Sequence, residues 1–341
     1  MDFTFSEDQR LFAGTLRDIL SADCPPEAVR ASWEDPDARV PGLWETLGGT
    51  GLLGLTAPGS HEGLGMDAVD LVLLLEELGR AACPEPVAEH VAVAVPLIRD
   101  HGSAVLRDTW LGRAATGDVV LTAGSPVDDL VLAAGRADLS LLGVDGALHA
   151  VPAEQMTCTG QQSVDASRRL ARVEWTPSDD TLLSDDPAVL EEWLDRGAWA
   201  TAAQAVGVAQ RLLDMTVAYV VEREQFGRPV GANQAVKHHC ANVAIDLEFA
   251  RPMVQVAAWS LAAGGSPTDG GSRWAKGSPP LYTRFFFPSS QSRLVQNQNR
   301  LGRGGSRMPS RSLLIGCVHV GQVACLGGSG GVIGAVLPTY Y

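Results

Sequence analysis

Glu222-Arg223-Glu224-Gln225-Phe226-Gly227-Arg228-Pro229-Val230-Gly231-Ala232-Asn233-Gln234-Ala235-Val236-Lys237-His238 is the stretch on which the rest of the chain turns. Gly227, Pro229 and Gly231 break any continuous helix through it, while helical patterns run on both sides. Upstream, Asp186-Pro187 sets an N-cap acid before a proline at the first helical position. The pattern then persists to about Glu222, a span of roughly 50 Å at the rise of an α-helix. Its middle, with Ala200, Ala202, Ala203, Ala205, Gly207 and Ala209, is slim enough for another helix to approach closely. Downstream, Val236, Cys240, Val243, Leu247, Ala250 and Val254 alternate spacings of four and three, a one-sided apolar stripe. Two long antiparallel helices joined by a turn are expected, with the stripe buried. The turn itself is dense in Arg, Gln, Asn and Lys, donors that suit an anionic group such as a pyrophosphate, although a solvated interhelical loop has the same composition.

Working back to the start, Ser6 is a good N-cap for a helix to about Leu20, with Leu11, Thr15 and Ile19 on one face. A helical piece begins at Leu43-Trp44-Glu45-Thr46-Leu47 and ends at Gly48-Gly49. A Gly-rich loop, Pro58 to Gly65, precedes a helix capped by Asp67 and ended by Gly79, and a further helical stretch runs from Val87 toward Ile98. From 117 the period changes. Short apolar runs at 119–122, 129–134, 139–144 and 147–151, divided by Gly, Asp and Pro, predict a β-domain of five or six strands with a hairpin turn at Asp145-Gly146. The fold class is therefore α+β, mainly α. Residues 1–116 are expected to form an N-terminal helical domain, 117–182 a small middle β-domain, 183–264 an incomplete C-terminal helical bundle, and 265–341 an atypical Gly/Ser/Arg-rich tail.

The tail differs in charge as well as in pattern. The formal net charge of the 341 residues is −14, but all 40 acids fall in 1–270, where they oppose 18 Lys+Arg. Residues 271–341 hold 8 Lys+Arg and no acid. Either the tail is a basic appendage for an anionic partner, or it follows a shift of reading frame; pattern and acid are lost together, as a shift would produce. A nucleic-acid role is set aside because the body is strongly acidic. Six cysteines lie far apart without a C-x-x-C pair, against a zinc site or a disulfide framework and in keeping with a reduced compartment. The start lacks a basic region followed by an apolar run, and no window is apolar over the roughly 18 residues of a membrane span. A soluble cytoplasmic protein is expected.

The order helical domain, β-domain, helical bundle, together with Arg223-Glu224-Gln225-Phe226-Gly227-Arg228-Pro229 and Asn233-Gln234-Ala235-Val236-Lys237-His238, resembles the acyl-CoA dehydrogenases. Tyr219 and the Ala/Gly-rich helix before it, Leu75-Glu76-Glu77-Leu78-Gly79-Arg80, and Phe3, Ser6, Glu7 and Gln9 look like the same family. Asp165 to Val173 is similar to a segment of its shorter, often actinobacterial-type members. The resemblance covers about 1–264. It implies FAD as cofactor, with Arg223, Gln225 and Phe226 on its diphosphate and adenine part and Asn233 and Gln234 reaching the same cofactor across a subunit interface. It also implies an acyl-CoA substrate, a homo- or hetero-oligomer of related subunits, and no metal. The implied reaction removes the α-proton of an acyl thioester with a Glu base while a β-hydride passes to the flavin.

Departures from the family pattern limit what carries over. The middle domain should hold a T-E-x-x-x-G-S-D type segment and a later W-I-T type segment; the nearest match, Thr122-Ala123-Gly124-Ser125, lacks the acid. The family's base lies beyond the central turn, where after 264 this sequence offers only Asp269. Gln322 with Gly327-Gly328-Ser329-Gly330 is spaced two residues too long for the family's flavin contact, and no acid follows. The catalytic residue is thus unassigned. Glu248 is a substitute base only if it escapes the solvated face that its position suggests, and the adjacent His238 and His239 point about 100° apart on a helix, too far to share a metal. Two readings stand: a flavin-dependent acyl-CoA dehydrogenase-like oxidoreductase, or a non-catalytic or truncated subunit of that kind that associates with a partner chain.

Overall fold

The computed structural model describes residues 4–125 and 129–264. The basic tail, both readings of it, and Asp269 lie outside the described residues. Ser6 caps α1 (Glu7–Asp23) reciprocally: its hydroxyl accepts from the Gln9 amide while the Gln9 side chain accepts from the Ser6 amide. The inward face of α1 is Ala13, Leu16 and Leu20; the row Leu11, Thr15, Ile19 is the outer one, with Leu11 70% exposed. Then come α2 (Pro26–Ser32), α3 (Leu43–Gly49) and α4 (Ala68–Arg80), the last capped by Asp67. The stretch after Val87 is a π-helical turn, Ala88–Ala94, that becomes α5 (Val95–His101) where Pro96 has no N–H to continue the wider ladder. Helix α6 (Ala104–Thr116) closes the first layer.

Among the described residues the β region holds seven strands where five or six were expected. One sheet has the order β1-β3-β4-β7, from β1 (Leu121–Ala123), β3 (Leu139–Val144), β4 (Ala147–Pro152) and β7 (Leu182–Ser184). The other has the order β2-β6-β5, from β2 (Leu130–Leu132), β6 (Leu170–Glu174) and β5 (Thr157–Gly160). Asp145 and Gly146, at φ 50° and 82°, make the expected turn, with Val144 opposite Ala147. Strand β5 is exposed and polar, and β6 and β7 are short with one fully buried residue each, so their apolar signal was weak. Arginines fasten this region to the helices. Arg136 pairs with Glu85, both side chains buried, and lies over the Trp44 ring; Arg169 donates to the carbonyls of Trp33 and Asp35. Removing one partner of a buried pair strands the other charge, at about 3–5 kcal/mol.

Helix α7 (Pro187–Glu222), capped by Asp186, crosses α4 at backbone contact. A Cβ on Gly207 would lie 1.8 Å from the Glu76 carbonyl oxygen, and one on Gly79 would lie 2.0 Å from that of Gln204. The slim middle of α7 therefore serves this crossing. Helix α8 (Gln234–Ala262) returns along α7, with Trp199 Nε1 donating to the Val254 carbonyl at 3.2 Å. Arg251 of α8 ties the three helices by donating to Glu76 at 3.1 Å and Gln210 at 3.0 Å. The expected burial of the α8 stripe holds only toward its C-terminal end: Leu247 and Val254 are 3% and 1% exposed, Val243 is 43% exposed, and Val236 and Cys240 are half-buried. The distal halves of α7 and α8 reach past α4 and pack on one another and on the connecting turn. The architecture is α+β and mainly helical, as the sequence predicts.

Candidate functional site

The connection between α7 and α8 is a small hairpin. Arg223 leaves the helix with its amide still bonded to Tyr219. Two short strands, β8 (Glu224–Gln225) and β9 (Arg228–Pro229), then pair across Phe226 and Gly227, and the Val230 amide returns to the Arg223 carbonyl at 2.7 Å. Phe226 and Gly227 have φ 53° and 73°, a two-residue turn whose twist suits a hairpin. For glycine this is free; for phenylalanine it costs about 1–2 kcal/mol. The ring does not offset that cost by packing, since Phe226 is fully exposed at 101%.

The five residues singled out in the sequence are held at the two ends of this connection. Among the described residues the guanidinium groups of Arg223 and Arg228 have no ion-pair or hydrogen-bond partner. Gln225 Nε2 donates to its neighbour's carbonyl, that of Glu224, at 2.8 Å. Asn233 caps α8 by accepting from the Ala235 amide at 3.3 Å, so its carbonyl oxygen serves the helix and only its amide NH2 is left for another group. Gln234 opens α8, at an N-terminus whose partial positive charge suits an anion. Beneath the hairpin runs an apolar groove of about 490 Å³, lined by Val217, Val220, Val221, Pro229, Val236 and Cys240 with Lys237 at its edge. Gly231 allows the chain to pass this close, because a Cβ there would sit 2.9 Å from the Val220 carbonyl oxygen. Unpaired guanidinium groups, amide donors, a bare aromatic ring and an apolar trough are a donor set that fits a diphosphate carrying a flat ring.

The other candidates are placed less favourably. Thr122 is buried, and its hydroxyl donates to the Leu132 carbonyl at 2.7 Å, so it is spent inside the β region. The Glu248 side chain is 77% exposed and meets Arg251 at 3.4 Å, the solvated position that its sequence suggested. His238 and His239 are exposed. No group of three or more His, Cys, Asp or Glu is arranged to hold a metal among the described residues, and no described helix is long and apolar enough to cross a membrane. Glu76 and His90, neither of them taken from the sequence as a site residue, are buried. Glu76 has its carboxyl pushed up by burial, against the pull of Arg251. His90 is pushed down to about 4 by burial, its Nδ1 accepting from the Leu121 amide at 3.0 Å and its Nε2 donating to the Ala114 carbonyl at 3.1 Å. Both ring nitrogens are committed to structure. A polar pair, Glu89-His90, within the otherwise apolar run 87–95 was the available signal.

Comparison with known proteins agrees with the fold. Residues 6–118 match the family description "Acyl-CoA dehydrogenase, N-terminal domain", and 187–276 match "Acyl-CoA dehydrogenase, C-terminal domain". The chain is 32% identical over 250 residues to acyl-CoA dehydrogenase IpdE2 of Mycolicibacterium smegmatis, covering 73% of this chain and 76% of that one. Among solved structures, the ChsE4-ChsE5 complex from Mycobacterium tuberculosis superposes with a TM-score of 0.74 at 24% identity, covering 98% of this chain and 96% of that one. A glutaryl-CoA dehydrogenase from Mycobacterium smegmatis in complex with FADH2 does so with a TM-score of 0.69 at 17% identity, covering 94% and 90%. By fold, by both domain matches and by this relative, the chain belongs to the acyl-CoA dehydrogenase family, the FAD-dependent oxidoreductases that desaturate acyl-CoA thioesters.

Proposed function

We propose that this chain works in the cytoplasm as one subunit of an acyl-CoA dehydrogenase assembly, its hairpin reaching FAD at the interface with a neighbouring related subunit. The observation that carries this reading is Phe226, held in a left-handed turn with its whole ring in solvent beside the unpaired Arg223. Such a side chain gains its packing only from something outside the described chain. FAD, when bound, supplies the hydride acceptor. Arg223 would donate to diphosphate oxygens, the amide groups of Gln225, Asn233 and Gln234 would donate alongside it, and Phe226 would cover the adenine. In this reading residues 1–116, 117–182 and 183–264 act as three layers around the cofactor and acyl-CoA.

The carboxylate that takes the α-proton comes in this reading from the partner chain. Glu248 is solvated, and Asp269, the sole acid after 264, stands in a Gly/Ser-rich stretch. A partner-associated role also suits the ChsE4-ChsE5 likeness, since that structure is itself a complex of two proteins. Expression of the chain alone and together with a second acyl-CoA dehydrogenase-type subunit tests the proposal, reading flavin content by visible absorbance and mass by light scattering. Flavin retained in the oligomer and lost from the separated chain is expected. Stoichiometric flavin on a monomer would remove the interface from the account.

A further inference from the structure

The Gly-rich loop between α3 and α4 brings three side chains into a line that the hairpin does not use. The Ser60 hydroxyl lies 3.0 Å from His61 Nδ1, and His61 Nε2 lies 3.1 Å from Asp108 Oδ1 on α6, 47 positions away in sequence. An ionised carboxylate only accepts, so Nε2 carries the proton of the neutral ring and Nδ1 keeps a lone pair for the Ser60 hydroxyl. That is the order of nucleophile, base and orienting group by which an activated hydroxyl is recognised, whatever the sequence positions. The backbone fixes the loop tightly. The Pro58 carbonyl accepts from His61 and Gly63 at 2.9 and 3.1 Å, and the amides of Leu64, Gly65 and Met66 bond back to Gly54, Ala57 and Leu55 at 2.8–2.9 Å. The His61 ring is half-buried while Ser60 and Asp108 are exposed, so an incoming group reaches the hydroxyl without disturbing the core. Val105, one turn before Asp108 on the same face of α6, is 76% exposed and offers an apolar surface beside the line.

We propose that Ser60, His61 and Asp108 form an acyl-transfer site that hydrolyses small activated esters, a reaction that needs neither flavin nor a second subunit. Ser60 Oγ attacks the ester carbonyl carbon as its proton passes to His61 Nδ1. The amides of Ser60 and Glu62 have no acceptor among the described residues, and they are the donors at hand for the carbonyl oxygen as it takes up charge. The C–O bond to the leaving group breaks, that oxygen takes the proton from Nδ1, and the acyl group stays on Ser60. Water then attacks the acyl carbon and gives a proton to Nδ1; the proton returns to Oγ as the carboxylic acid departs. Ester and water become acid and alcohol with no change of oxidation state. Asp108 is a positioning residue, holding the ring with its proton on Nε2. Its carboxylate lies in solvent, so that hold is weak and turnover is slow.

Treatment of the full chain with a fluorophosphonate, followed by fragmentation of the tryptic peptide 40–80, tests the proposal alongside release of p-nitrophenol from p-nitrophenyl acetate. The expected result is a phosphonyl adduct at Ser60, lost in Ser60→Ala and in His61→Gln, with ester hydrolysis falling at least about tenfold in both. Asp108→Asn, whose amide can donate to Nε2 and so move the ring proton to Nδ1, should slow hydrolysis about fivefold, and Asp108→Glu should restore most of the rate. Ser60 and Asp108 are exposed, so their variants should keep the wild-type Tm, and a lost rate then reports chemistry and not unfolding. No adduct at Ser60 would overturn the proposal. So would hydrolysis unchanged in Ser60→Ala, as the exposed His238 or His239 acting alone would give, or a rate in Asp108→Asn equal to that of the wild type.

Discussion

At the scale of single residues, the hairpin and the core pull polar groups in opposite directions. Arg223 is exposed and unpaired within the described chain, so its truncation removes nothing that the monomer uses. Arg223→Ala should leave unfolding unchanged while weakening FAD binding about ten- to a hundredfold, the value of a charge-assisted contact of roughly 1.5–3 kcal/mol. Flavin titration of apo protein checks this, and equal affinities would make Arg223 a plain surface residue. His90 is the opposite case. Its folded-state value of about 4 lies below its ordinary 6.5, so between these limits the unfolded chain binds the extra proton and stability is lost as pH falls from about 6.5 to 4. The full loss is about 3 kcal/mol. Urea unfolding at pH 7 and 4.5 should show most of it, and His90→Gln should flatten the slope. Glu76 works the other way, since burial raises its carboxyl and holding it ionised at neutral pH costs stability.

At the scale of elements, the α4/α7 crossing and the α8 stripe make separate predictions. Alanine in place of a helical glycine ordinarily gains about 1 kcal/mol. At Gly207 the new Cβ meets a backbone oxygen that cannot rotate away, 1.8 Å off, so the sign reverses and Gly207→Ala should destabilise by about 3 kcal/mol in thermal or urea unfolding. Leu247→Asp places an unpaired charge in the core and should cost about 4 kcal/mol or abolish folding, whereas Val243→Asp should change monomer unfolding by only about 0.5 kcal/mol and weaken oligomers instead. These two positions are equivalent in the sequence stripe. Periodicity identifies a helix face but not how far along it a neighbour extends, and α4 reaches only the C-terminal end of α8. The limits of α7, its Asp186 cap and the Asp145-Gly146 turn were legible because local chemistry fixes them. The π-helical turn, the exposed strand β5 and the buried His90 depend on tertiary neighbours that composition does not reveal. In the candidate site, the five residues were named through resemblance, and their projection into solvent on a hairpin was not legible in the sequence.

At the scale of the whole molecule, residues 1–264 hold 18 Lys+Arg against 39 acids, and the part of the sequence where the family places its base has no acid beyond Asp269. Proton abstraction next to a thioester needs a carboxylate held in position, and a positioned general base contributes about 10²–10⁴-fold. Three carboxylates of the helical layers do not meet that need. Glu76 and Glu85 are buried and paired with Arg251 and Arg136, and Glu248 is in solvent. The chain alone, even loaded with FAD, should therefore reduce its flavin with acyl-CoA at least about a hundredfold more slowly than a version whose tail is replaced by a helix pair carrying the Glu. Adding a partner subunit that brings a carboxylate should restore the rate without any change to this chain. Stopped-flow bleaching of the flavin with a panel of acyl-CoA thioesters separates the cases. Equal rates for the unmodified and repaired chains would place the base within 1–264. The same assay on Glu248→Gln would then follow, because among these acids Glu248 alone needs no break in the core to move.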